Sequence, residues 1–150
     1  MRKLVILTAV LFIAACASSN NNAKVDIPQP DIEVQQLSST PAVAEHVTGG
    51  VPVNFGIAVS NKADIPITLK RINISSIGTG GYNVPNNSRP FDKVIQPGTT
   101  EQVSFWAGAN ADPSIAGVNG AVALRVIAQF DSSKGAFETS TVHQVQGRLP

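Results

Sequence analysis

Cysteine is almost missing from the 150 residues, Cys16 being the only one. That excludes an internal disulfide and any metal site built from several cysteines. Histidine is scarce too, with only His46 and His143. Charge is sparse, 14% of residues, and nearly balanced at 11 Lys plus Arg against 10 Asp plus Glu. Setting aside Arg2 and Lys3 leaves 9 against 10, which argues against nucleic acid or an acidic surface as the main partner. Leucine is rare after the amino terminus: residues 16–150 hold 4 Leu against 26 Val plus Ile, a bias toward strands and away from helices. The apolar run Leu4 to Ala15, broken only by Thr8, would span about 18 Å as a helix, well short of a hydrocarbon core of roughly 30 Å. What remains from Cys16 onward is 135 residues, 52 of them apolar, which is one globular domain and neither a disordered chain nor two domains.

The amino terminus is the most specific segment. Met1-Arg2-Lys3 is a positive start, and Leu4 to Ala15 has the size of a secretory apolar region. It ends in Ile13-Ala14-Ala15-Cys16, which resembles the bacterial lipobox. The resemblance implies a signal peptide over residues 1–15, cleavage before Cys16, a diacylglyceryl thioether on the Cys16 sulfur, and acylation of the new amine. The other reading is an ordinary signal peptide cut after Ala15 or Ala17. Each buried methylene contributes about 0.8 kcal/mol, so two chains anchor stably and three hold the protein for good. Ala17 to Ala23 shows no periodicity and no bulky apolar group, so residues 16–30 are expected to form a flexible tether, stiffened at Pro28 and Pro30. By resemblance to enteric lipoproteins, Ala17 in place of Asp implies delivery to the outer membrane, facing the periplasm.

From residue 31 to about 146 the pattern is β. Val51, Val53, Phe55, Ile57 and Val59 alternate with smaller or polar residues, which predicts a half-buried strand. Ile65, Ile67 and Leu69 continue that alternation, the phase slips at Lys70-Arg71, and it resumes at Ile72 and Ile74. A β-bulge there keeps both halves facing the core. Breaks are expected at Asn61 to Asp64, at Gly78-Thr79-Gly80-Gly81 and at Asn86-Asn87-Ser88. Pro97-Gly98 suits the centre of a type II turn. Val103, Phe105 and Ala107 alternate, and Asp112-Pro113 reads as the start of one helical turn. Val122 to Phe130 is a second strict alternation, Asp131 to Gly135 is hairpin chemistry, and a last strand of unclear phase follows to Val145. With an opening strand at Ile32 and Val34, this predicts an all-β antiparallel sandwich of seven or eight strands.

The stretches Pro30-Asp31-Ile32-Glu33-Val34, Phe55 to Asn61 and Asp64 to Ile72, with the later Pro97-Gly98, are similar to the type-two late-embryogenesis-abundant fold and its water-stress and hypersensitive-response domains. The usual Asn-Pro turn is replaced by Asn61-Lys62. The resemblance implies an immunoglobulin-like sandwich, stress protection, and no catalytic residues to carry over.

Chemistry is hard to assemble. His46 and His143 lack second ligands at metal spacing and are read as structural or surface residues. No nucleophile elbow frames a serine, Gly78 to Gly81 lacks the lysine of a phosphate loop, and carboxylates are scattered. Asn73-Ile74-Ser75 matches a glycosylation acceptor but falls in an expected strand. Two softer features remain. Trp106 lies on the opposite face from Val103, Phe105 and Ala107, and either projects outward near Tyr82 or Phe91 as a stacking or partner-binding anchor, or packs under residues 110–117, the preferred alternative. Arg71, Arg89 and Lys93 form either a weak basic patch or, as preferred, separate solvated charges. The expectation is a non-enzymatic envelope lipoprotein, structural or protein-binding, without cofactor, metal, nucleic acid or identified small-molecule substrate. A stress-protective domain is the alternative, and a hydrolase with an unrecognised site is the third.

Overall fold

The computed structural model describes residues 26–39, 51–78, 80–110 and 120–146. They form seven strands: β1 (Asp31–Ser39), β2 (Val51–Ser60), β3 (Ile67–Ser76), β4 (Asn87–Ile95), β5 (Thr100–Ala109), β6 (Ala121–Ser132) and β7 (Gly135–Gln146). One sheet has the order β1-β2-β5 and the other β4-β3-β6-β7, with every neighbouring pair antiparallel. This is an immunoglobulin-like sandwich in which the fourth strand pairs with the third instead of the fifth, giving three strands against four. Cys16, His46 and the Asp112-Pro113 turn lie outside the described residues.

The alternations make the core. Val53, Phe55, Ile57 and Val59 of β2 face Ile67, Leu69, Ile72 and Ile74 of β3 and Val122, Leu124, Val126, Ala128 and Phe130 of β6, all buried. Strands flanked on both sides lose the most apolar surface, at about 25 cal/mol per Å2. The phase slip falls at Lys70. On β6, Leu69 opposes Phe130 and Arg71 opposes Gln129, so Lys70 is the extra residue. It turns to solvent, where its Nζ meets Asp92 Oδ1 at 2.6 Å. That hydrogen bond raises the Lys70 pKa and lowers that of Asp92.

Asn61, 1% exposed, ties one end together. Its Nδ2 donates to the carbonyls of Ile65 (2.8 Å) and Ile95 (3.0 Å), and its Oδ1 accepts from the Ala63 N–H at 2.9 Å. Its backbone N–H donates to Thr99 O and its carbonyl accepts from Gly98 N–H. Every polar atom of a buried amide is thereby used, joining the β2–β3 and β4–β5 connections. The Pro97-Gly98 turn is as the sequence predicts: Gly98 has φ +67°, and the Thr99 N–H donates to Gln96 O at 3.1 Å.

Two expectations are corrected. Asn87 and Ser88 are not a break but the start of β4. β4 is an edge strand, so Pro90 costs it no ladder bond on its open side, and its inward positions carry Arg89 and Lys93, hiding the alternation. Tyr82 and Phe91 are not surface companions for Trp106. Tyr82 is 3% exposed and Phe91 packs against the core.

Candidate functional site

The outer face of the three-stranded sheet carries the candidate site. Antiparallel register sets Glu33, Ala58 and Gln102 in one row across β1, β2 and β5, and Gln35, Gly56 and Ser104 in the next. Because Phe55, Ile57 and Phe105 point into the core, these neighbours point out. The middle strand contributes small residues and the flanking strands long ones. The result is a trough of about 250 Å3 lined by Glu33, Val34, Gln35, Gly56, Ala58 and Gln102. Leu37, beside the irregularity between Gln36 and Ser38, lies over Gly56. A Cβ at Gly56 would sit 3.1 Å from Leu37 Cδ2, so even an alanine there needs the leucine to give by a few tenths of an ångström.

Trp106 stands on the same face, opposite Asn54. It is 36% exposed, so it belongs to the surface and not to the core; of residues 110–117, under which packing was expected, all but Asn110 lie outside the described residues. Hydrogen bonds stiffen the face: beside Trp106, Ser104 Oγ donates to Asn54 Oδ1 at 2.7 Å, and at the far end of β5 the Ser60 and Thr100 hydroxyls pair at 2.7 Å.

Charge divides the molecule by sheet. β1, β2 and β5 contain no lysine or arginine. Lys70, Arg71, Arg89, Lys93 and Arg125 all sit on the four-stranded sheet. There they do not make a basic patch. Arg71 Nη1 donates to Ser88 Oγ at 2.9 Å, Arg89 Cζ lies 5.6 Å from the centre of the Phe105 ring, and Lys93 Nζ is 3.0 Å from Glu101 Oε2. A second depression, on the four-stranded side, is lined by Lys70, Asp131 and Glu138 among others and is of mixed charge.

His143 is on β7, half-buried, with Nε2 2.9 Å from Thr141 Oγ1. Phe137 and Val145 share its inward face and Val142 points out, which settles the phase of this strand. Tyr82 Oη donates to Gln36 Oε1 at 2.8 Å, and burial pushes its pKa up to about 12. Among the described residues no group of three or more His, Cys, Asp or Glu side chains is placed to hold a metal ion, and no helix is long and apolar enough to cross a membrane. The trough was not foreseen from the sequence, because it depends on which strands flank β2. The outward parity of Trp106 was its one local signal.

No family model matches the chain, and no curated protein matches it. Among solved structures, a Northeast Structural Genomics Consortium target, SoR45, aligns at 10% identity over 77% of this chain and 83% of its own, with a TM-score of 0.51. A protein from Archaeoglobus fulgidus aligns at 9% identity over 83% and 99%, with a TM-score of 0.49. A FixG-related protein from Vibrio parahaemolyticus aligns at 13% identity over 80% and 97%, with a TM-score of 0.39. At such identities the likeness to SoR45 is one of fold alone.

Proposed function

We propose that this protein is a lipid-anchored lipoprotein of the bacterial envelope, held by acyl chains on Cys16, whose sandwich serves as a non-enzymatic structural or protein-binding module. The outer membrane, periplasmic side, is its expected place. The observation that carries the binding role is the free edge of β7. This strand runs twelve residues in unbroken register with β6 and contains no proline, lysine or arginine. No described strand pairs with its other side, and Val142 on it is 60% exposed. Such an edge accepts an extended partner segment through backbone hydrogen bonds.

A photo-crosslinker placed at Val142 should give one discrete adduct in cells, and one placed at the exposed Val94 of β4, on the opposite edge of the same sheet, should give none. Equal crosslinking from both positions removes the edge from the account. The anchor is tested separately by Cys16→Ser, which should abolish labelling by a fatty-acid analogue. Equal label on both proteins would refute lipidation. Stress protection of the water-stress type is a second reading, favoured by Asn61 and Pro97-Gly98, which the resemblance singles out and which hydrogen-bond each other here. A variant that protects a heat-labile enzyme without a stoichiometric partner would favour it.

A further inference from the structure

We propose that the outer face of the three-stranded sheet binds a neutral, extended oligosaccharide, lying in the trough over Ala58, passing Leu37 where that side chain covers Gly56, and stacking at one end on Trp106. This goes beyond the protein-binding role and depends on neither the lipid nor the β7 edge.

The lining decides the ligand class. Sugar hydroxyls both donate and accept, and the Gln35 and Gln102 amides do the same, while Glu33 adds acceptors. Phosphate, sulfate and carboxylate ligands need lysine or arginine, and β1, β2 and β5 have neither. A wholly apolar ligand would leave those amides and the carboxylate without partners. The exposed indole offers an apolar face to the C–H side of a sugar ring, with an N–H at its rim. Between Gln102 and Trp106 the strand rises about 13 Å, so the trough and the indole engage successive rings of one chain. Its floor follows β2, a ten-residue strand. A ribbon-like β-linked chain follows that line, and a coiled α-linked chain leaves it. The Ser104–Asn54 and Ser60–Thr100 bonds hold the face in shape before binding, which lowers the ordering cost.

Trp106 is the only tryptophan, so its emission reports on this site alone. The full chain, purified in a detergent without a sugar headgroup, is titrated with cellohexaose, maltohexaose and an oligogalacturonate. Cellohexaose should give a saturable emission change, and the other two should give none at the same concentrations. Calorimetry on Trp106→Ala, and on Ala58→Arg, which fills the trough, should show affinity lowered about tenfold or more with an unchanged melting temperature. Three results would overturn the proposal: no saturable change with cellohexaose to millimolar levels, equal response to maltohexaose or oligogalacturonate, or full affinity in both variants. A response to an extended neutral peptide but not to cellohexaose would reassign the face to protein and overturn it as well.

Discussion

Where β4 faces β5 across the sandwich the core is covered by charged side chains, and where β1 faces β7 it is covered by neutral ones. On the first flank Arg89 lies over the Phe105 ring and Lys93 meets Glu101. Pro90 and the Lys70–Asp92 bulge add to this. On the second, Thr139 Oγ1 pairs with Gln29 Oε1, Tyr82 with Gln36, and His143 with Thr141. Inward charges, a proline and a bulge all oppose pairing by another strand, and β7 has none of the three. One flank is therefore guarded against association and the other is open to it. The neutral flank avoids the desolvation cost of ions but tolerates no lost partner.

The comparison breaks hardest in alkali. An unfolded tyrosine ionises near pH 10, while buried Tyr82 keeps its proton to about 12, so the folded state binds more protons between these values. Its contribution is complete below pH 10 and is lost as pH rises through 12. Melting temperature should fall steeply over that range in the parent, and Tyr82→Phe should flatten the fall. Removing the partner is next. Gln36→Leu strands the Tyr82 hydroxyl and should cost about 2 kcal/mol in urea unfolding at neutral pH. On the charged flank, Arg89→Ala removes the cation over Phe105 and its apolar stem, for about 1 kcal/mol. Smallest is Lys93→Ala, at most about 0.5 kcal/mol and vanishing in high salt, because the pair is half exposed. A larger loss from Lys93 than from Gln36 would invert the comparison.

The same contrast explains what could be read from sequence. β2, β3 and β6 are flanked on both sides and bury apolar residues at every inward position, so period two was plain and even the Lys70 slip was visible. The edge strands were obscure for a physical reason. Inward positions at a rim can hold Arg89, Lys93, Thr139 or His143, whose polar ends reach partners there. Hence β4 was mistaken for a break at Asn87-Ser88 and the phase of β7 could not be set. Trp106 showed its parity, but alternation cannot tell an exposed face from one covered by a loop. Gly56 and Ala58 became a trough floor only through pairing with β1 and β5, which no local pattern encodes.

The chain enters the sandwich beside the β6–β7 hairpin. Ile27 is buried, Gln29 meets Thr139, and Lys134 Nζ comes within 3.5 Å of the Asp26 carbonyl. Register places the Asn61 and Pro97-Gly98 connections at this same end. Were Cys16 in lipid, as proposed, the ten residues to Asp26 would reach at most about 35 Å, and this end would be the base of the molecule. Ten residues of strand add about 33 Å of height. Trp106, opposite Asn54 and six residues along β5 from Thr100, stands in the upper part. The proposed lipid on Cys16 would thus set a ceiling of about 70 Å above the bilayer for anything the upper end can touch.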